Sequence, residues 1–480
     1  MQRIQRISII LCVWCSLAAV LSGCSTLAPS YTRPAAPVPA SWQQDAASDG
    51  ASAGSEQRSV AEIAWQDFYR DPRLREVIAL GLAHNRDMRM AALNVERAQA
   101  QYQIQRAGLV PGVDANGAAS FQRQPADFSG TGGARDVHQY TVGLGVTSYE
   151  LDLFGRVRSL KDQALEQYLA TEQAQLSAQI SLIAQIAAGY LTLAADRELL
   201  HLAQETLKTQ QESYQLIQRR FEVGASSELD LRQAQAQVES ARVDVARFTT
   251  QVTQDEDSLN LLAGTQIPAG LLPSALTDQV AALAEVAPGL SSDVLLKRPD
   301  ILQAENMLKG YNANIGAARA AYFPRITLAG ALGSGSNELS GLFSTGSGSW
   351  SFVPRIDLPI FDAGIRAAQL QIAEVDRDIA IAQYEKAIQT AFREVADGLA
   401  QRTNVERQLI AQQALCDATE KRYVLTRERY AKGVDSHLSV LDAQRSLYSA
   451  QQGVIGVRLT RLTNLVSLYK ALGGGVKTGS

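Results

Sequence analysis

From Arg156 to Val223 the chain runs without a proline and with a single internal glycine, Gly189. Within this stretch Leu176, Ile180, Ile183, Ala187, Tyr190 and Ala194 recur at alternating steps of four and three, the spacing of a helix packed in a coiled coil. A helix of that length spans roughly 100 Å at about 1.5 Å per residue, more than one compact domain encloses. It must therefore find much of its packing surface on neighbours. The 14 prolines allow two such segments, since none lies between Pro125 and Pro268 or after Pro359.

The second segment is a copy of the first. "RFEVGASSELDLRQAQAQ" around Gly224 returns 209 positions later as "RYAKGVDSHLSVLDAQRS" around Gly433. The same offset pairs Tyr214 with Tyr423, Leu216 with Leu425, Arg220 with Arg429, Leu229 with Leu438, Ala234 with Ala443 and Gln235 with Gln444. A first repeat over 71–263 thus carries a helix, strands near 112–121 and 140–153, and a long helical hairpin turning at Gly224. A second repeat over 298–472 carries a helix, strands near 325–332 and 350–361, and a hairpin turning at Gly433. Chain reversal at each turn favours a residue tolerant of positive φ. A Pro- and Gly-punctuated section, 264–297, joins the repeats, and 473–480 is a tail.

The strand assignments rest on period-two patterns. Val113, Ala115, Gly117, Ala119 and Phe121 share one face; Tyr140, Val142, Leu144 and Val146 share another. In the second repeat Ile326, Leu328 and Leu332, then Trp350, Phe352, Ile356, Leu358 and Ile360, do the same. The first helix carries a continuous helical composition from Leu74 to Ala107 and stops at Val110-Pro111, as its counterpart stops at Phe323-Pro324. Four strands cannot close a membrane barrel, the smallest of which use about eight, so chains must pool strands. Two chains give a packed interior, whereas three give twelve strands and a lumen. Trp350 and Phe352 suit an aromatic girdle at a membrane boundary. A sandwich edge packed on a helix is the competing soluble reading.

The N-terminus, "MQRIQRISIILCVWCSLAAVLSGCS", places Arg3 and Arg6 before an apolar run and ends in Leu21-Ser22-Gly23-Cys24. Residues 1–23 read as a lipoprotein signal peptide. Residues 24–70, rich in Pro, Ala and Ser, read as a lipid anchor followed by an extended tether with little core of its own. Cys12 and Cys15 leave with the signal, which makes Cys416 the only free thiol and excludes a disulfide within the chain. Losing the signal takes the formal net charge from −4 to −6, against general nucleic-acid binding. The four histidines, His84, His138, His201 and His437, lack metal-ligand spacing, and no catalytic constellation or phosphate-binding loop is present. His437 reads as a surface histidine of the second turn.

The stretches "LSGCS", "YELDLFGRVRSLKDQALEQYLATE", "LDLRQAQ", "RPDILQAE", "IGAARAAYFP", "QYEKAIQTAFREVADGLA" and "LSVLDAQRSLY" resemble the TolC/OprM family of outer-membrane factors over nearly the whole mature chain, above all its lipoprotein branch. The resemblance implies an α+β membrane protein: a TolC-like homotrimeric channel-tunnel with a twelve-stranded barrel, a mixed equatorial section and a long α-helical coiled-coil barrel in the periplasm. It implies S-diacylglycerol and N-acyl lipid on Cys24, sorting to the outer membrane, and no other cofactor. The partners it implies are a periplasmic membrane-fusion adaptor and an inner-membrane pump of the resistance-nodulation-division (RND) type. Leu438, Asp442 and Arg445 match the family's closed constriction. Leu438 and Asp442 share a helix face at i and i+4, and Arg445 can restrain Asp442 at i+3. Gly224, Gly433, Leu229 and Ser436 mark the tip turns and the expected adaptor contact. The function implied is passive efflux of drugs and other small amphiphiles. Type I protein secretion and metal efflux remain alternatives within the family, and a structural coiled-coil envelope lipoprotein remains one outside it.

Overall fold

The computed structural model describes residues 26–42, 63–128, 132–276 and 291–475. The signal segment 1–23, Cys24, residues 43–62 of the tether, residues 277–290 of the linker and the last five residues of the tail fall outside them. The elements in order are α1 (Trp65–Phe68), α2 (Pro72–His84), α3 (Arg86–Ala107), β1 (Asp114–Gln124), β2 (Arg135–Leu151), α4 (Arg156–Glu222), α5 (Glu228–Ala263), α6 (Pro299–Ala320), β3 (Arg325–Ser336), β4 (Gly348–Asp357), α7 (Ile365–Ala431) and α8 (His437–Ala471). The two long helices, α4 and α7, have 67 residues each. Contacts divide the chain into two units.

One unit contains the chain up to Ala35 together with Asn94–Glu172 and Gln303–Tyr384. At its centre β1 to β4 form an antiparallel meander in sequence order. The registers place Ala115, Leu144, Leu332 and Trp350 in one row across all four strands. Parity then puts Phe121, Tyr140, Val142, Phe352 and Ile356 on the same face. The reverse face carries Asn116, Ser120, Thr141, Gly143, Ala331, Gly333, Ser351 and Arg355, which are small or polar. A register shift between Val146 and Tyr149 interrupts the β2–β3 ladder. Where β2 leads into α4, Asp152 accepts the Val157 and Arg158 N–H groups at 3.1 and 2.8 Å and so satisfies donors of the first turn. Glu150 beside it holds Arg156 and Arg325 at 2.6 and 2.7 Å.

The tether differs here from its expected lack of packing. Arg33 grips Glu305 of α6 in a two-point contact, Nη2 to Oε2 at 2.6 Å and Nε to Oε1 at 3.1 Å, while the Tyr31 hydroxyl donates to the same carboxylate at 3.1 Å. Asn312 donates to the Pro29 carbonyl at 2.7 Å. Glu305 is 2% exposed, and Arg33 of the strap together with Lys309 of α6, 3.3 Å from Oε1, supplies the positive charge its burial requires. Composition shows the tether's prolines and alanines and hides these few specific groups.

The other unit comprises Ala36–Leu93, Gln173–Leu302 and the chain from Glu385. Of the coiled-coil stripe on α4, Ile180, Ile183, Ala187, Tyr190 and Ala194 are buried, and Ile186, Leu191 and Leu193 between them are buried too, so this stretch is enclosed on several sides. The tether is again packed. Trp42 stacks on Phe392 at 5.1 Å and donates Nε1–H to its carbonyl at 3.1 Å. Phe68 and Tyr69 are wholly buried, with Phe68 stacked 3.8 Å from Tyr469.

The first helix of the repeat is not continuous. It breaks at Asn85, whose backbone is extended (ψ 134°) and ends α2. The same side chain accepts the Met88 N–H at 3.0 Å to start α3 and donates to the Leu262 carbonyl of α5 at 2.9 Å. Asparagine competes with helix by bonding locally, and here a tertiary acceptor fixes that choice. At the end of α5, Gly264 takes φ +67°, and a Cβ there would run into the His84 carbonyl. In the second repeat Arg298, 6% exposed, bonds Asp300, Glu394 and the Ala471 carbonyl, tying the start of α6 to the end of α8.

Candidate gate at the hairpin turns

The two turns are closed by the same backbone chemistry. After α4 the Ala225 N–H donates to the Arg220 carbonyl at 2.7 Å and the Gly224 N–H to Phe221 at 2.9 Å. After α7 Val434 donates to Arg429 and Gly433 to Tyr430, both at 2.9 Å. This 6→1 pattern needs a left-handed residue, and Gly224 (φ +74°) and Gly433 (φ +76°) supply it. No atom lies within 4 Å of a Cβ built on either glycine, so conformation and not space demands glycine. Each following helix starts on a serine. Ser227 and Asp230 form a reciprocal capping box, while Ser436 accepts the Ser439 N–H at 3.4 Å. Leu229 and Leu438, equivalent positions in the repeat, are 66% and 53% exposed.

Asp442 lies one turn beyond Leu438 on α8. Arg445 donates Nη2 to its Oδ1 at 3.1 Å, and a second arginine, Arg422 of α7, donates to Oδ2 at 2.8 Å. Hydrogen bonds from Arg422 and then Arg445 hold the carboxyl below the usual range, so it is ionised and doubly paired. Arg422 is absent from the sequence reading, although a signal for it exists. It stands 11 residues before Gly433 and Asp442 stands 9 after, so an antiparallel hairpin brings them level. The equivalent positions of the first repeat are Ser213, Gln233 and Ala236, which cannot build this ion triad.

His437 is not the surface residue its turn position suggests; it is 6% exposed. Its ring lies 5.4 Å from that of Tyr430, with the Ser213 hydroxyl 3.5 Å from Nε2. Tyr430 in turn accepts Arg220 Nη1–H at 2.9 Å, so residues of both hairpins surround the imidazole. Burial lowers its pKa, Asp230 opposes that shift and Arg220 adds to it. A helix-start position seen in one repeat cannot reveal that the other repeat covers it.

Trp350 and Phe352 are 79% and 61% exposed on the apolar sheet face, beside the exposed Leu144, Leu332 and Ile356. Among the described residues no three His, Cys, Asp or Glu side chains are placed to hold a metal ion. Cys416 is a half-buried free thiol on α7.

The family model described as "Outer membrane efflux protein" matches residues 77–265 and 290–474. The toluene efflux pump outer membrane protein TtgC of Pseudomonas putida is 52% identical over 458 residues, covering 95% of this chain and 94% of that protein. The outer membrane protein OprJ of Pseudomonas aeruginosa is 43% identical, covering 96% and 95%. The crystal structure of the open state of the MtrE outer membrane channel of Neisseria gonorrhoeae superposes with a TM-score of 0.84 at 40% identity, covering 94% and 98%.

Proposed function

This chain belongs to the outer membrane efflux protein family, and on that premise we propose that it is the outer-membrane conduit of a tripartite efflux pump, carrying drugs, aromatic solvents and other small amphiphiles. The observation that carries the reading is the four-stranded sheet with one exposed apolar face and one small or polar face. Such a sheet is stable in lipid only when closed, and four strands are too few to close alone. Three chains supply twelve strands around a lumen, and the 67-residue helices continue that ring as a periplasmic tunnel. The protein performs no chemistry; energy enters through an inner-membrane RND pump and a periplasmic adaptor. Acylation at Cys24 anchors each chain in the outer membrane. The name of the P. putida relative favours toluene-like solvents among the cargo.

In this reading the Gly224 and Gly433 turns, with Leu229 and Ser436, form the tip that meets the adaptor. Leu438 and Asp442 point to the threefold axis as an apolar ring over an acidic one. Three converging carboxylates repel unless compensated, and Arg422 and Arg445 supply the compensation from each chain. Trp350 and Phe352 sit at the membrane boundary. The decisive test is single-channel conductance in planar bilayers. Correctly assembled Leu438→Ala/Asp442→Ala trimers are expected to conduct severalfold more and to lose cation preference; unchanged conductance and selectivity places the constriction elsewhere. Palmitate labelling that vanishes in Cys24→Ala supports the anchor, whereas label retained on that variant removes it.

A further inference from the structure

In the unit that holds the sheet, one junction between strand and helix is filled and its copy is not. Ala320, Phe323 and Pro324 at the end of α6 line a cavity of about 570 Å³ together with Phe154 of the β2–α4 junction, whose ring stacks on Phe323 at 4.6 Å. The end of α3 repeats the end of α6. Arg106, Ala107 and Pro111 return 213 positions later as Arg319, Ala320 and Pro324, and Val110 stands where Phe323 stands. This end also lines a groove, of about 360 Å³, through Ala107, Gly108 and Val110, and no phenylalanine enters it. Ile360 and Phe361 follow β4 as Leu153 and Phe154 follow β2, yet they are 92% and 88% exposed.

The exposed pair stands on a fixed backbone. Asp362 accepts the Gly364 and Arg366 N–H groups at 3.1 and 2.9 Å and pairs with the Arg366 side chain at 3.0 Å. Ala363 between them takes φ +52°, the one non-glycine residue with positive φ among the described residues, a strain that persists only where the surroundings over-determine it. Gly364 (φ +90°) is the counterpart, 209 positions on, of Gly155 (φ +75°). Phe154 precedes its glycine by one residue and Phe361 by three, so the second junction is two residues longer. The groove at α3 is correspondingly wider, with Gly108 and Val110 in place of Ala321 and Phe323.

We propose that Ile360 and Phe361 of each chain insert into the groove at the end of α3 of the partner subunit, Phe361 packing on Val110 there as Phe154 packs on Phe323 within one chain. The strand order leaves β1 and β4 as the two unpaired edges of the sheet. The groove lies where α3 enters β1, and the exposed pair lies where β4 leaves for α7, so each edge carries one half of the contact. Within the chain, pairing of β2 with β3 brings Phe154 to Phe323. Pairing of β4 with β1 of the next chain reproduces that relation at every seam. The inference rests on the closed three-chain barrel proposed above and names the side chains that lock its seams. Removing two large apolar side chains from water at each of three seams favours the closed ring over the open edges.

The test uses the full-length protein, with Cys416→Ser removing the free thiol. Phe361→Cys combined with Val110→Cys is expected to give disulfide-linked dimers and trimers on mild oxidation, seen on denaturing gels, while either substitution alone gives none. Ile360→Ser/Phe361→Ser should shorten the half-life of the trimer at elevated temperature by about tenfold or more, and Phe361→Leu, which keeps an apolar filler, by much less. Phe343→Ser, at an 82% exposed site at the opposite end of the sheet, should leave that half-life unchanged. Native mass spectrometry of the wild type separates the two levels of the argument: without a trimer the closed barrel fails, and this contact with it. The contact alone is overturned if trimers assemble and the cysteine pair gives no cross-link between chains, or if the serine pair keeps the wild-type half-life. Where the serine pair fails to assemble, the cysteine pair decides. Quenching of Phe361→Trp emission by brominated lipid in trimers that do not cross-link would give the pair to the membrane and also overturn the proposal.

Discussion

His437 shows how one residue's role depends on the second half of the chain. A histidine at the first position of a helix next to a turn ordinarily sits in water, yet this one is enclosed by Ser213, Arg220, Asp230 and Tyr430. Its folded pKa is lowered, mainly by burial, so near the ordinary value of 6.5 the unfolded or opened tip binds a proton that the closed tip does not. The contribution of neutral His437 is therefore present above that value and lost as pH falls below it, towards the depressed folded pKa. Amides of the second turn should accordingly lose exchange protection between neutral pH and pH 5, and His437→Gln, which cannot titrate, should remove that loss. Equal acid sensitivity in wild type and His437→Gln would show that the tip loosens through another group. The Asp442 triad should not respond in this range, because two guanidiniums hold its carboxyl ionised.

At the scale of elements, the periodicities that are local in sequence were legible and the contacts that are not local were hidden. Strand parity, the long α4 and α7, and the glycine turns follow from residue spacing alone. The α2–α3 break was missed because its cause, the Leu262 carbonyl, lies 177 positions away from Asn85. The packing of the tether was missed for a similar reason: Arg33 finds Glu305 and Trp42 finds Phe392 only in the folded chain. At the tip, the Asp442–Arg445 spacing is visible within one helix, whereas Arg422 emerges only when the hairpin is folded back on Gly433. These hidden joints can be tested by deletion. Asn85→Ala removes a helix cap and a buried bond together, which should cost about 2 kcal/mol and lower the melting temperature of the assembly. Asn85→Ser restores the cap but not the bond to Leu262 and should recover part of the loss. Phe68→Ala empties a fully buried site stacked on Tyr469 and should cost about 3–5 kcal/mol. A melting temperature within a degree of wild type in Phe68→Ala would return the tether to a loose spacer.

For the whole molecule, the assignment of the two sheet faces decides what is membrane and what is channel. Leu332 and Ala331 are adjacent residues of β3 that point to opposite faces, so one strand supplies its own control. Leu332 lies between Leu144 and Trp350 in the apolar row; Ala331 lies between Gly145 and Ser351, where neighbouring side chains are small. An arginine on the lipid face near the bilayer midplane costs about 2–4 kcal/mol, and a trimer carries that penalty three times. Leu332→Arg should therefore sharply reduce the yield of membrane-inserted trimers. Ala331→Arg places its guanidinium in the aqueous lumen, with room left by Gly145 and Ser351. It should insert at near wild-type yield, while three added positive charges lower cation conductance through the barrel. Comparing insertion yield and ion selectivity for the two variants thus separates a folding defect from a pore effect. If Ala331→Arg fails to insert while Leu332→Arg forms channels of altered selectivity, the faces are reversed and the row from Ala115 to Trp350 lines the lumen.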